Sequence, residues 1–200
     1  MNLPNKITMV RIFLSIFLLV LLMFPFNLCG IEIPVYQLFG RVNMNLQYII
    51  GGVIFLIASV TDFIDGNIAR KYNLVTDFGK VMDAIADKIL VNGVLIILAC
   101  SGGDNAINVA IPVIIITRDI FVDSIKMVAG GKGKAVGASI LGKLKTICMM
   151  SGLTLVFFSN MPFELINIYV ANGLLYLATI LSVISGIQYY QVNKEFFKEK

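Results

Sequence analysis

Charged residues divide the chain into long uncharged runs. Twenty residues separate Arg11 from Glu32, and twenty more separate Arg41 from Asp62. Eighteen run from Thr146 to Phe163, and twenty-nine from Leu165 to Asn193. A helix needs about 20 apolar residues to cross a bilayer, so each run reads as one crossing. Two further apolar stretches, 79–103 and 105–129, carry charges near one end. The pattern predicts an all-α integral membrane fold of six transmembrane helices, near 6–28, 46–70, 78–101, 106–129, 138–159 and 166–190. The first run is too long for a secretory signal and lacks a small-residue cleavage site, so it is expected to remain as a permanent helix. No repeat, low-complexity tract or linker divides the chain, and residues 1–200 are expected to form one domain.

Composition supports the topology. Of the 200 residues 58% are hydrophobic and 14% charged, against about 45–50% and about 25% in a soluble domain. Basic residues gather at one side of the expected bundle. Lys6 and Arg11 lie near the N-terminus, and Arg70, Lys71, Lys80 and Lys88 flank the second loop. Lys126, Lys132, Lys134, Lys143 and Lys145 surround the fourth loop, and Lys194, Lys198 and Lys200 end the chain. The odd-numbered loops hold only Arg41. By the positive-inside rule both termini and the even loops face the cytoplasm, as expected of a multi-pass cell-membrane protein. The net charge of +4 then faces anionic membrane lipids, and no soluble basic domain exists to bind nucleic acid. Cys29, Cys100 and Cys148 fall in apolar stretches without metal-ligand spacing and read as buried, inert thiols. With no histidine, acid–base and metal chemistry must rest on carboxylates.

Those carboxylates are Asp62, Asp65, Asp83 and Asp87. A charge at the bilayer centre costs roughly 2.5–3.5 kcal/mol on insertion scales, and such residues mark function. At 3.6 residues per turn, Asp62, Asp65, Gly66 and Ala69 fall within an arc of about 100° on the second helix. Thr76, Gly79, Asp83 and Asp87 share a face of the third. The short loop between makes the helices antiparallel neighbours, so four carboxylates are expected to converge. Oxygen-only ligands suit hard cations such as Mg²⁺ or Mn²⁺. The small residues leave room for a bulky ligand to approach the backbone. Asp77 reads as a helix cap.

The segment Asp62-Phe-Ile-Asp65-Gly66-Asn-Ile-Ala69-Arg70, followed by Gly79, Asp83 and Asp87 at four-residue spacing, resembles the signature of the CDP-alcohol phosphotransferase family. The resemblance implies a six-helix membrane fold, usually dimeric, with its active site open to the cytoplasmic leaflet. It implies that Asp62, Asp65 and Asp83 hold two metal ions, with Asp87 completing the site and acting as base. Asp62, Gly66, Ala69, Arg70, Thr76 and Gly79 would lie along the CDP-lipid. An acceptor hydroxyl would displace cytidine monophosphate directly, without a covalent enzyme intermediate.

Outside the signature, Asn5, Thr8 and Arg11 on the first helix, Arg118-Asp119 on the fourth, and Lys143 and Lys145 on the fifth are similar to bacterial phosphatidylglycerophosphate synthases. That likeness implies transfer from CDP-diacylglycerol to sn-glycerol 3-phosphate, with Asn5, Thr8, Arg11, Arg118, Lys143 and Lys145 around the anionic acceptor. Lys143 and Lys145 lie about 200° apart on a regular helix, which argues against both reaching one pocket. Arg118 reads alternatively as an ion-pair partner of Asp119 or Asp123. A phosphatidylinositol-phosphate synthase is the close alternative, because its acceptor also bears a phosphate. Among other CDP-alcohol phosphatidyltransferases, those for serine or choline would need less basic charge around helices four and five. A cation-coupled transporter would also bury acids in a membrane, but it should show inverted repeats or paired broken helices, which the sequence lacks.

Overall fold

The computed structural model describes residues 2–38, 40, 42–72, 76–102, 105–131, 137 and 139–194. Six helices run α1 Leu3–Met23, α2 Leu46–Lys71, α3 Asp77–Cys100, α4 Ala110–Gly131, α5 Ile140–Phe157 and α6 Val170–Asn193. Four contain spans apolar and long enough to cross a membrane: Pro4–Met23, Leu46–Ala69, Ile140–Phe157 and Val170–Asn193. Helices α3 and α4, of 24 and 22 residues, have comparable length but carry more charged residues along them than those spans do. The chain is a helical membrane protein.

Local chemistry moves three helix ends from their expected places. Helix α1 stops at Met23 rather than near 28, because Pro25 pushes Phe24 into extended backbone and offers no N–H. Helix α4 starts at Ala110 rather than 106. The Asn108 side chain accepts from Ala110 N at 2.9 Å, and Pro112 sits in the first turn, where a missing N–H costs nothing. Helix α6 starts at Val170 rather than 166, after a short 3₁₀ turn, Phe163–Ile166, closed by Asn167 in left-handed backbone (φ 54°). The loop after α1 holds a second 3₁₀ turn, Phe26–Cys29, and an unforeseen hairpin. Its strands β1 Val35–Leu38 and β2 Val42–Asn45 pair antiparallel, with Val35 opposite Asn45. β2 tucks Val42 and Met44 inward, while β1 is exposed along its length.

Helix α1 packs along both α2 and α3, which touch each other little, while α6 packs against α5 and α4. The core between them includes Leu18, Phe55, Leu95, Leu98, Ile111, Leu153 and Leu175. At the α5–α6 contact a Cβ on Gly152 would stand 2.9 Å from Leu175 Cδ2 and 3.3 Å from the Ala171 carbonyl, so a small residue sets that approach. Polarity is distributed as a bilayer demands. Phe63 is 70% and Phe13 67% exposed, whereas Arg11 is 1%, Asp65 2% and Lys145 4% exposed. Ionisable groups held inside an apolar exterior are the pattern of a membrane interior that does chemistry.

Candidate active site

The site is built where α1 runs between α2 and α3. Thr76 caps α3, its hydroxyl accepting from Gly79 N at 3.0 Å. Asn5 on α1 donates through Nδ2 to the same hydroxyl oxygen at 3.2 Å. A Cβ on Gly79 would lie 2.7 Å from Asn5 Oδ1 and 3.0 Å from Thr76 Oγ1, so α1 can close on α3 only over a glycine. These contacts line one wall of a cavity of about 320 Å³ that also borders Thr8, Asp62, Asp65, Gly66, Ala69, Lys80 and Asp83.

Three carboxylates meet there. Asp62 and Asp65 from α2 and Asp83 from α3 each offer an oxygen within 4.8 Å of the others. Arg11 ion-pairs with Asp62 and Asp83, and its Nη2 lies 4.0 Å from Asp65 Oδ2. Thr8 Oγ1 lies 3.2 Å from the same Asp65 oxygen. The other oxygen of Asp65, Oδ1, is buried and lacks a hydrogen-bond partner among the described residues. A buried, unpartnered carboxylate oxygen within a set of oxygen donors fits a hard divalent cation. The cluster can bind such an ion.

Asp87 does not belong to this group, contrary to the four-way convergence expected from the sequence. Each step of four residues turns a helix by about 40° and advances it about 6 Å, which carries Asp87 past the trio. It lines a second cavity, of about 250 Å³, between α3, α4 and α5. Asp87 still feels the charges of Arg11 and Asp83 on one side and of Lys145 and Asp119 on the other.

The second cavity is cationic. Lys88, Arg118, Lys126, Lys143 and Lys145 line it against Asp87, Asp119 and Asp123, an excess of two positive charges. The N-terminus of α5 adds its partial positive charge, with Ser139 as cap accepting from Gly142 N at 3.0 Å. Asp119 joins the two deepest cations. Its Oδ1 accepts from Arg118 Nη1 and from Lys145 Nζ, both at 2.9 Å, and its Oδ2 accepts from Lys145 Nζ at 2.7 Å. Lys88 pairs with Asp123 across the α3–α4 contact.

The expected acceptor residues therefore divide between the two cavities. Arg118, Lys143 and Lys145 line the second. Asn5 and Thr8 line the first, and Arg11 sits among its carboxylates, because α1 packs against α2 and α3. Both Lys143 and Lys145 border one cavity despite their angular separation, Lys145 buried on Asp119 and Lys143 exposed. Gly66, Ala69, Thr76 and Gly79 fall together as expected. The Arg70 and Asp77 side chains, and Lys132 and Lys134, lie outside the described residues. Reading the sequence missed Lys80, Ser139, Tyr189, and the α6 serines behind Arg118. Only Lys80 carried a signal, being a charge one residue from Gly79.

Fold and cavities define a class: a polytopic helical membrane protein with a cluster of carboxylate oxygens that could bind a cation, beside a cationic pocket. The profile of the CDP-alcohol phosphatidyltransferase family matches residues 1–184. A Bacillus subtilis (strain 168) protein is 38% identical over 197 residues, covering 98% of this chain and 97% of its own. Proteins of Rickettsia bellii (strain RML369-C) and Haemophilus influenzae (strain ATCC 51907 / DSM 11121 / KW20 / Rd) are each 34% identical. They cover 98% and 92% of this chain, and 97% and 93% of their own. All three relatives are named CDP-diacylglycerol–glycerol-3-phosphate 3-phosphatidyltransferase. The chain belongs to the CDP-alcohol phosphatidyltransferase family.

Proposed function

We propose that this protein transfers the phosphatidyl group of CDP-diacylglycerol to sn-glycerol 3-phosphate, giving phosphatidylglycerophosphate and CMP. The observation that carries the reading is the pair of cavities, one acidic and one cationic, with Asp87 lining the cationic one. Asp62, Asp65 and Asp83 would hold divalent cations, two Mg²⁺ or Mn²⁺ ions, beside Asp87. When bound, these would neutralise the diphosphate and stabilise the attacking and leaving oxygens of an in-line displacement. Gly66, Ala69, Thr76 and Gly79, with Asn5 and Thr8, shape the space for the nucleotide, and Arg70 is assigned to the diphosphate by its place in the signature. Arg118, Lys143 and Lys145 bind the phosphate of the acceptor. Asp87 takes the proton of the acceptor hydroxyl as its oxygen bonds the lipid-side phosphorus and the bond to CMP breaks. The working unit is one domain spanning residues 1–200, paired as a homodimer in the cell membrane. Its termini and active site face the cytoplasm, by the placement of lysine and arginine.

The test is purified protein in detergent with CDP-diacylglycerol, Mg²⁺ or Mn²⁺, and a panel of glycerol 3-phosphate, inositol phosphate, serine and inositol. Released CMP and the lipid product are both measured. Phosphatidylglycerophosphate should form with glycerol 3-phosphate alone, and excess chelator should stop CMP release. Preference for another alcohol would overturn the acceptor, and no CMP with any alcohol would overturn the reaction class.

A further inference from the structure

The Arg118 guanidinium rests on α6 in a closed set of hydrogen bonds. Nε donates to the Ser182 carbonyl at 3.0 Å, and Nη2 donates to Ser185 Oγ at 2.7 Å. The Ser185 hydroxyl gives its own proton to the same Ser182 carbonyl, at 3.0 Å. Toward Arg118 it can therefore act only as an acceptor. Both serines are 0% exposed. Gly186 lets the helix come this close, since a Cβ there would stand 3.1 Å from Arg118 Cγ.

A buried serine that only returns its proton to a carbonyl of its own helix is common and needs no functional reading. Ser185 does more, because its acceptor side receives a cation from another helix. A guanidinium has five N–H donors. Ser182, Ser185 and Asp119 take three of them. Among the described residues the remaining two, one on each terminal nitrogen, have no acceptor, and Arg118 lines the cationic cavity. One free donor on each terminal nitrogen is what a bidentate grip on a phosphate requires.

We propose that Ser185 is a positioning residue: with the Ser182 carbonyl it fixes the Arg118 guanidinium so that two N–H groups stay free for the acceptor's phosphate, and so sets acceptor affinity without touching the acceptor. This rests on the reading of Arg118 as a phosphate-binding residue. Fixing the fork before binding removes side-chain entropy that would otherwise be lost on binding.

A double-mutant cycle on the full chain in detergent tests it, with Arg118→Lys, Ser185→Ala and the two combined. Ser185→Ala should raise the KM for glycerol 3-phosphate about tenfold, the lower end of what a hydrogen bond to a charged group contributes. The KM for CDP-diacylglycerol and the thermal midpoint should stay at wild-type values, which separates positioning from general stability. In the Arg118→Lys background the same change should move acceptor KM less than about twofold, since coupled residues are not additive. Ser185→Cys keeps the side-chain shape with a slightly larger atom but accepts weakly. It should shift acceptor KM in the same direction, and it serves if the alanine variant does not accumulate folded. The inference is overturned if Arg118→Lys raises acceptor KM while the Ser185 variants leave it unchanged. Multiplying effects in the double variant overturn it too. If Arg118→Lys itself leaves acceptor KM unchanged, the phosphate-binding role of Arg118 fails first and takes this inference with it.

Discussion

At the scale of the residue, Asp87 and the aspartate trio ask for different experiments. Asp87 borders the cationic cavity and stands apart from the three converging carboxylates. As the proposed base it would act mainly in the transition state. Asp87→Asn should therefore lower kcat by about 10²–10⁴-fold while the KM for CDP-diacylglycerol changes little. Asp62→Asn, Asp65→Asn and Asp83→Asn should instead weaken metal activation, seen as a higher Mg²⁺ concentration for half-maximal rate. Parallel losses in both measures for Asp87→Asn would make it chiefly a cation ligand. The four acids were legible in the sequence because charge inside an apolar run is costly and stands out. Their partition was not, since a rotation of about 40° per four residues decides an assignment only once neighbouring helices are in place. Ser185 was illegible for a simpler reason. A hydroxyl on an apolar helix is ordinary until an arginine from another helix is seen to meet it.

Among the elements, α1 contributes more than a membrane crossing. Its Asn5 reaches the cap of α3, and Gly79 is the point of closest approach. Gly79→Ala would push the Asn5 carboxamide aside and disturb the cap. It should raise the KM for CDP-diacylglycerol several-fold while leaving that for glycerol 3-phosphate near its original value, in a steady-state comparison of both substrates. Equal shifts in both would mean that the α1–α3 contact supports the whole bundle and not one cavity. Helix positions were readable where a polar residue ends an apolar run. The expected 46–70 and 78–101 became Leu46–Lys71 and Asp77–Cys100. Hydropathy had less to say at the other ends. The run after Arg11 continues through Pro25 into the loop, and only the backbone demands of proline break the helix there. The hairpin was hidden likewise, since its eight strand residues are uncharged and carry no marker separating strand from loop. Which helices neighbour one another was read too simply. A short loop between α2 and α3 suggested direct contact, but α1 lies along both.

Across the whole molecule, the orientation inferred from lysine and arginine has a reporter already in place. Contrary to the buried thiols expected from the apolar stretches, Cys100 at the end of α3 is exposed, and so is Cys29 in the loop between α1 and α2, on the side assigned away from the cytoplasm. In a Cys100→Ser background, a membrane-impermeant maleimide added to intact cells should label Cys29, whereas Cys148, buried in α5, should stay unmodified. Labelling of Cys29 only after cell lysis would reverse the assignment. The ion pairs of Arg11 also bear on how such a chain is made. Synthesis runs from the N-terminus, so the arginine of α1 enters the membrane before Asp62, Asp65 and Asp83 exist. Each aspartate inserted alone would cost roughly 2.5–3.5 kcal/mol. Arg11 offers them a waiting counter-charge, provided that α1 lingers where α2 and α3 emerge. Arg11→Leu makes the first helix more apolar, and by hydropathy alone it should insert better. The built-in pairing predicts the reverse: less membrane-integrated full-length protein, with Arg11→Lys close to the original yield because the charge is kept. Quantifying carbonate-resistant protein after expression decides between them, and a yield for Arg11→Leu at or above that of the unaltered chain would mean the acids enter unaided.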